Sequence, residues 1–170
     1  GDVYKRQLYK VGLKKAKSVF FENVQNAQVM IYDKTITKEQ AVVMNGAGVN
    51  LERFSFSQMP KDDITKFLFV GRVMEEKGVN ELFDAIKKIK SEGIKAEFGF
   101  LGWFEEDYSQ IIKDLEAKDY IKYYGYQKDV VKFMREAHCI VLPSYHEGMA
   151  NVLLEGASIG RALIATDIHG

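Results

Sequence analysis

Short apolar runs alternate with amphipathic stretches from Lys66 onward, and this alternation constrains the fold more than any other feature of the chain. Short apolar runs bounded by polar turns are typical of strands buried on both faces of a parallel sheet. The stretches between them carry apolar side chains at helical spacing. The sequence therefore predicts βαβ units, that is, an α/β fold with a Rossmann-like parallel sheet and helices on both faces.

The predicted elements of this region follow from the same spacing. The strands are residues 66–70, 96–101, 120–124, 139–142 and 162–166, and the helices are residues 80–90, 105–117, 130–137 and 151–159. Asn80 and Asp129 are expected to cap their helices, because Asn and Asp side chains accept hydrogen bonds from the first free N–H groups. Gly93 and Gly160 are expected just beyond helix ends, where a left-handed backbone is common.

The pattern before Lys66 is different. Residues 18–21 and 41–44 are predicted strands, the first of them buried, residues 26–32 are a predicted short helix, and residues 1–7 show no periodicity and are expected to be disordered or foreign to the fold. Gly46 and Gly48 suit a hinge or a tight ligand-facing turn. Residues 51–63 are mostly polar and predict a connector between domains, which places residues 1–50 and 64–170 in different domains, the second incomplete at its C-terminus.

Charge and cysteine content exclude several classes of protein. The chain has 24 basic and 24 acidic residues, so no whole-chain field marks a nucleic-acid binder or a membrane-surface protein. Cys139 is the only cysteine, which excludes a disulfide framework and favours a reducing, cytoplasmic compartment. No apolar stretch approaches the ~20 residues that span a bilayer.

Two cations follow the first predicted strand of the second region. Arg72 and Lys77 lie in a loop at the carboxyl end of a parallel strand, which is where open α/β sheets bind ligands. A guanidinium and an ammonium group together suit a diphosphate, and they can neutralise a leaving group. The alternative is a solvated loop in which Lys77 pairs with Glu75 or Glu76.

Two acids follow the fourth strand. Glu147 lies in the loop beside Gly148, and Glu155 lies about one turn inside the helix that begins near Asn151. Carboxylates accept several hydrogen bonds, as a polyol requires, and a helix N-terminus favours anions. The alternative is two solvated surface acids.

Aromatic residues follow the other two strands at the same edge. Tyr126 lies where a nucleotide base can stack or hydrogen-bond, although a simple turn explains this segment equally well. Trp103 lines a pocket or covers the sheet, and we expect core packing. No His or Cys stands at a metal-ligand spacing, and Asp-x-Asp, phosphate-loop and dinucleotide-binding motifs are absent from the sequence, so no metal and no cofactor are predicted.

Taken together, the motifs resemble the C-terminal half of a GT-B retaining glycosyltransferase of the family called group 1, or family 4. The matching segments are Gly46-Ala47-Gly48-Val49-Asn50 with Phe54 (usually Gly-Ser-Gly-Val-Asp), residues 67–78 (Arg-x-x-x-x-Lys-Gly), residues 143–156 (Glu-x7-Glu), and Ala165-Thr166-Asp167 with Gly170. The resemblance covers roughly residues 17–170. It implies that residues 1–50 are a remnant of the N-terminal acceptor domain and residues 51–63 an interdomain linker, and that residues 64–170 bind the donor.

The resemblance also implies a role for each matching residue. Arg72 and Lys77 would bind the donor's diphosphate, Glu155 the ribose and Glu147 the hydroxyls of the transferred sugar, so that Arg72, Lys77 and Glu147 are the predicted catalytic residues. The remaining predicted donor-binding residues are Gly48, Tyr126, Gly148, Met149, Ala150, Asn151 and Val152.

The expected activity is that of a hexosyltransferase. It would move a sugar from a nucleotide-diphosphate sugar, UDP-sugar being favoured, to a glycan or lipid-linked acceptor, with retention of configuration and without a metal. Because much of the acceptor domain is expected outside this chain, we expect the fragment alone to be inactive. The expected location is the cytoplasm and the inner face of the membrane, with peripheral membrane association through the missing N-terminal domain. The alternatives are a non-enzymatic or inactive nucleotide-sugar-binding fragment and a sugar-nucleotide epimerase or phosphorylase of the same fold.

Overall fold

The computed structural model describes residues 2–44 and 46–168 of the chain. Gly170, which belongs to the last of the motifs above, lies outside the described residues. The helices are α1 (Asp2–Leu13), α2 (Val24–Tyr32), α3 (Val79–Ser91), α4 (Ser109–Ala117), α5 (Val130–Glu136) and α6 (Asn151–Ile159). The strands are β1 (Val19–Phe21), β2 (Ala41–Val43), β3 (Thr65–Val70), β4 (Ala96–Leu101), β5 (Lys122–Gly125), β6 (Cys139–Leu142) and β7 (Ala162–Ala165).

The chain forms two compact units. Of the described residues, the first unit contains residues 2–44, 46–48 and 147–151, and the second contains residues 49–146 and 152–168. In the first unit β1 and β2 pair in parallel, with α2 between them in sequence. Its core is small and is built around Phe21, Ala27 and Ile36.

The second unit is a five-stranded parallel sheet in the order β5-β4-β3-β6-β7. Its strands carry helices on both faces, which confirms the predicted Rossmann-like α/β fold. On one face, the ring of Phe83 in α3 lies 5.3 Å from that of Phe100 in β4. On the other face, Met134 of α5 and Ile159 of α6 pack with Leu68 and Ile140 of the sheet.

The predicted strands and helices are largely confirmed. The bounds of β4, β6 and α6 agree with the prediction, because their buried runs end at clear polar turns. Gly93 and Gly160 have φ values of +71° and +91°, as expected beyond a helix end.

Several predicted starts are wrong. Helix α3 begins after Gly78, whose φ is +67°, so Asn80 lies inside the helix and does not cap it. Helix α4 begins at Ser109 and not at residue 105, because the segment before it bonds to the loop after β3. Asp129 occupies the N-cap position of α5 but makes no side-chain capping bond.

The predictions for the N-terminal region need two further corrections. Residues 2–13 form helix α1, not a disordered segment, and Leu13 at its end packs against the small core. The predicted buried strand at residues 18–21 is shorter and half open, since Phe20 is 62% exposed. A strand beside a single partner has too few neighbours to cover both of its faces.

The connector after Val49 belongs to the second unit and is hydrogen-bonded to the ends of two of its helices. The buried guanidinium of Arg161 donates to the carbonyl oxygens of Ser57 and Gln58, and also to those of Met134 and Arg135 at the end of α5. The hydroxyl of Ser158 donates to the carbonyl oxygen of Phe54 at 2.7 Å. These bonds hold residues 54–58 against the ends of α5 and α6.

Candidate active site

The strand order creates a switch point in the second unit. The chain runs outward from β3 through β4 to β5, and then returns to place β6 on the other side of β3. Connections that leave β3 and β6 in opposite directions open a crevice at the carboxyl ends of those strands, where doubly wound sheets bind ligands. Arg72 and Lys77 follow β3, and the segment that leads to Glu147 follows β6.

The loops after β3 and β6 are in direct contact. The Tyr145 N–H donates to the carbonyl oxygen of Glu76 at 2.9 Å, and the Tyr145 hydroxyl donates to the Glu81 carboxylate at 2.6 Å. A β-carbon at Gly78 would lie 2.0 Å from the carbonyl oxygen of Pro143. Only glycine permits both this approach and the left-handed backbone at that position. The loop that carries Arg72 and Lys77 is therefore pinned against the start of the loop after β6.

The loop that carries Arg72 is also bonded to the loop after β4, through the backbone of Val73. The N–H of Val73 donates to the carbonyl oxygen of Trp103 at 2.8 Å, and that of Glu105 donates to the carbonyl oxygen of Val73 at 3.2 Å. The guanidinium of Arg72 lies 3.7 Å from the Glu105 carboxylate, and both side chains are partly exposed. Arg72 thus has an acidic neighbour that the sequence did not predict, contributed by the loop after β4.

Tyr126 and Trp103 form an exposed aromatic pair at the same edge. Their ring centroids lie 5.7 Å apart in an edge-to-face arrangement, and the side chains are 63% and 49% exposed. The prediction that Trp103 packs in the core is wrong, because β4 has already ended and the segment turns outward beside β3. Both side chains are therefore accessible at the predicted site of the nucleotide base.

Glu155 is half-buried on the first turns of α6. Burial raises the pKa of its carboxyl group above the ordinary 4.5, and the charge of Arg53 acts in the opposite direction. Arg53 also donates to the carbonyl oxygen of Lys128, at 3.4 Å, in the loop after β5. Sequence reasoning assigned Arg53 to the linker and missed it, since no local spacing relates it to Glu155.

Most of the other predicted donor-binding residues belong to the first unit, whereas Val152 belongs to the second and packs against its core. The side-chain amide of Asn23 donates to the carbonyl oxygen of Gly148 at 2.8 Å, while its oxygen caps α2 by accepting from the Asn26 N–H at 2.8 Å. A β-carbon at Gly46 would lie 2.9 Å from the Met149 side chain, and a β-carbon at Gly148 would lie 2.5 Å from the Glu22 carboxylate. Gly48 adopts a φ of +77°. The predicted members found here are Gly48, Glu147, Gly148, Met149, Ala150 and Asn151.

Asn23 was also missed by sequence reasoning. The available signal was its position directly after β1, at the start of the following helix, where an Asn side chain commonly serves as a cap. The predicted helix began three residues later, at Asn26, and this hid the cap.

A cavity of about 440 Å³ lies at the opposite, amino edge of the sheet, beside Lys66, Glu97 and Lys122. Each of these residues is at the start of its strand, so the cavity is remote from the predicted site. Within residues 2–44 and 46–168, no three or more His, Cys, Asp or Glu side chains are grouped as a metal site would require. The helices of that same part of the chain are too short or too polar to cross a bilayer.

Comparison with known proteins decides the family. Residues 64–170, which comprise the sheet and both loops described above, match the family model described as Glycosyl transferases group 1. The chain belongs to the group 1 glycosyl transferases. The resemblance inferred from the sequence motifs is thereby confirmed.

Curated relatives align with more than nine-tenths of this glycosyl transferase chain. The N,N'-diacetylbacillosaminyl-diphospho-undecaprenol alpha-1,3-N-acetylgalactosaminyltransferase of Campylobacter jejuni is 26% identical over 96% of this chain and 46% of its own length. The putative teichuronic acid biosynthesis glycosyltransferase TuaC of Bacillus subtilis is 28% identical over 92% of this chain and 43% of its own. This glycosyl transferase chain therefore spans a little under half the length of these relatives.

A solved structure shows the same fold. Anabaena HepE in complex with UDP and glucose matches 99% of this chain and 50% of its own with a TM-score of 0.76, at 16% sequence identity. Such a match at low identity supports the GT-B fold of this group 1 glycosyl transferase.

Proposed function

We propose that this glycosyl transferase moves a sugar from a nucleotide-diphosphate sugar to a glycan or lipid-linked acceptor. The observation that carries the proposal is the junction at the switch point, where the loop bearing Arg72 and Lys77 is bonded to the start of the loop after β6. Open α/β sheets bind their ligands at this position. The cations and acids predicted from the sequence follow the two strands that form it.

The diphosphate is the part of the donor that suits Arg72 and Lys77. When the bond between the anomeric carbon and the β-phosphate oxygen breaks, negative charge develops on the departing nucleoside diphosphate. A planar guanidinium and a mobile ammonium group stabilise that charge more in the transition state than in the bound donor. We propose that these cations do the work for which other transferases use a metal ion, since the sequence lacks the Asp-x-Asp pair that would hold one.

The two glutamates suit the hydroxyl groups of the donor. Glu155 would accept hydrogen bonds from the ribose, and Glu147 from the transferred sugar, because an ionised carboxylate has room for several donors. The backbone from Gly148 to Asn151, which includes Met149 and Ala150, and the adjoining Val152 would lie beside the sugar and the phosphate. Tyr126, which is paired with Trp103 and exposed, would contact the base.

The names of the relatives support the acceptor class and the donor. The Campylobacter jejuni relative is named as a transferase to a diphospho-undecaprenol-linked sugar, and HepE was solved with UDP and glucose. We infer a UDP-sugar donor and a lipid-linked or other glycan acceptor, and a reaction in the cytoplasm at the inner face of the membrane. We also propose retention of configuration, by attack of the acceptor hydroxyl on the same face of the sugar ring that the diphosphate leaves.

Donor binding and transfer test this proposal separately. Calorimetry with UDP should show binding to the wild-type chain and a loss of at least tenfold in affinity in Arg72→Gln, with Lys90→Gln at the far end of α3 as a matched control that leaves affinity unchanged. In the full-length protein, Arg72→Ala and Glu155→Ala should each lower the rate of transfer at least tenfold. Carbon–proton coupling at the anomeric position of the product then reports whether configuration is retained.

Each alternative function has its own outcome. UDP binding without transfer by the full-length protein indicates a non-enzymatic module, and an altered sugar nucleotide without an extended acceptor indicates an epimerase. Unchanged transfer in both alanine variants would exclude the residue assignments.

A further inference from the structure

Glu105 has no role in the function proposed above, yet it lies beside the predicted diphosphate site. One carboxylate oxygen is 3.7 Å from the Arg72 guanidinium, and the other accepts a hydrogen bond from the Trp103 indole N–H at 3.2 Å. Trp103 in turn contacts the ring of Tyr126. A single carboxylate therefore joins the predicted phosphate-binding cation to the exposed aromatic pair.

The backbone holds this arrangement in place. Val73 and the segment after β4 continue the pairing of β3 with β4 beyond the ends of the strands, with an isolated bridge from Val73 to Phe104. A β-carbon at Gly102 would lie 1.8 Å from the carbonyl oxygen of Gly71, so the two loops approach as closely as glycine allows. Glu105 lies beside Arg72 because the backbone of Val73 is bonded to the segment that carries Glu105.

The neighbouring acid does not share this position. The Glu106 carboxylate accepts from the backbone N–H of Glu75 at 2.9 Å and so supports the turn before α3. The side chains of Arg72 and Glu105 are 41% and 44% exposed, which leaves the pair open to an incoming ligand.

We propose that Glu105 is a positioning residue that orients Arg72 before a ligand binds and lowers the affinity of Arg72 for anions. Its charge offsets that of Arg72, so every negative charge on a ligand is opposed by a carboxylate close to the guanidinium. Inorganic phosphate and pyrophosphate have only charge contacts to gain, whereas a nucleoside diphosphate also gains contacts to its base and ribose. Glu105 would thus make tight binding depend on the contacts to the base and the ribose. This inference rests on the proposed function, because it takes the ligand of Arg72 to be a diphosphate.

The variant Glu105→Gln isolates the charge. Glutamine keeps the size of the side chain and an oxygen that can accept from the Trp103 indole, but it removes the negative charge. Measured by calorimetry at low ionic strength, we expect UDP and pyrophosphate to bind roughly three- to tenfold more tightly, UMP to gain less, and uridine to be unchanged. Added salt should shrink the gain, because the groups are exposed to solvent.

Two controls make the test specific. Glu92→Gln removes the same charge from an exposed residue at the end of α3, on the amino edge of the sheet, and should leave all four affinities unchanged. In the background of Arg72→Gln, removing the Glu105 charge should produce less than half of the gain seen with Arg72 present. That coupling separates an effect through Arg72 from a general change of field. Equal melting temperatures of Glu105→Gln and the wild type would show that the fold is intact.

The inference is overturned by any of three results: no gain in affinity for UDP, an equal gain for uridine, or an equal gain when Arg72 is replaced. Each of these can occur while UDP still binds the wild-type chain and Arg72→Gln still weakens it, and the proposed function then stands. Absence of UDP binding to the wild type contradicts both the proposed function and the inference.

Discussion

Glu155 combines a cost in stability with a proposed role in binding. Burial raises the pKa of its carboxyl group, and the charge of Arg53 only partly opposes this effect. A raised pKa in the folded state means that the folded protein holds the proton more tightly than the unfolded chain. The favourable contribution of Glu155 is therefore complete below the unfolded pKa and is lost as the pH rises through the folded pKa.

The variant Glu155→Gln should accordingly unfold at a higher temperature than the wild type at pH 7. The difference should vanish near pH 4 and below, where the glutamate is itself neutral. UDP affinity should fall in the same variant if Glu155 binds the ribose as proposed, because the amide offers one neutral accepting oxygen where the carboxylate offers two charged ones. Thermal unfolding across this pH range measures the first effect and calorimetry the second. A lower melting temperature of the variant at pH 7 would contradict this account of the burial.

Gly78 determines how closely the loops after β3 and β6 approach. We expect Gly78→Ala to lower the free energy of unfolding by about 2–4 kcal/mol, from the left-handed backbone and from the clash with the Pro143 carbonyl oxygen. Gly93→Ala is the matched control, because Gly93 has φ +71° but nothing within 4 Å of an added β-carbon. It should cost about 1 kcal/mol.

Denaturant unfolding measures both glycine variants, and calorimetry with UDP measures whether moving the loop of Arg72 and Lys77 weakens binding. Weakened UDP binding in Gly78→Ala but not in Gly93→Ala is the expected result. Equal unfolding costs in the two variants would show that the contact with Pro143 is unimportant.

At the scale of elements, the ends of α5 and α6 are joined to the connector by one buried arginine. Arg161 donates to carbonyl oxygens on two segments, the connector and the end of α5, where a cation also complements the helix dipole. Backbone carbonyls that are buried need partners, and a single planar fork supplies several of them here.

Replacement of Arg161 by Gln should therefore lower the free energy of unfolding by about 2–4 kcal/mol, because buried acceptors lose their donors. Arg161→Lys should recover only part of the loss, since an ammonium group keeps the charge without the planar fork. The control is Arg135→Gln: Arg135 also bonds to the connector, through the Ser55 hydroxyl at 2.9 Å, but it is exposed. That variant should cost less than about 1 kcal/mol in denaturant unfolding. Equal losses for the two arginines would contradict the proposed importance of the buried bonds of Arg161.

At the scale of the whole molecule, the two units have separate hydrophobic cores of very different size. Ile140 is fully buried in the core of the second unit, and Ile36 is one of three buried residues that define the small core of the first. A large rigid core cannot close around a deleted side chain, whereas a small core relaxes more easily.

Ile140→Ala should therefore cost about 4–5 kcal/mol and Ile36→Ala about 2 kcal/mol in free energy of unfolding. Scanning calorimetry and residue-level hydrogen exchange report which core each change loosens. We expect amides of β3 and β6 to lose protection in Ile140→Ala, and those of β1 and β2 in Ile36→Ala. Loss of protection in the wrong unit would contradict the division into two cores.

The sequence alone determined the fold class, the carboxyl-edge position of the loops bearing Arg72, Lys77 and Tyr126, and the bounds of β4, β6 and α6. These features depend on local periodicity, because a strand buried on both faces must be apolar throughout and must end where polar residues begin. The family followed from the order of short motifs for a related reason: each motif is a run of neighbouring residues that can be read without knowing how the chain folds.

Only the tertiary structure decided which loops touch and which side chains pair. The junction of Gly78 with Pro143, the pairing of Arg72 with Glu105 and the start of α4 all depend on strand neighbours that are far apart in the chain. The exposure of Trp103 has the same origin, because its segment is turned outward by bonds to Val73. Sequence spacing says nothing of such pairs, since the order of strands in a sheet follows from the packing of the whole domain and not from any local pattern.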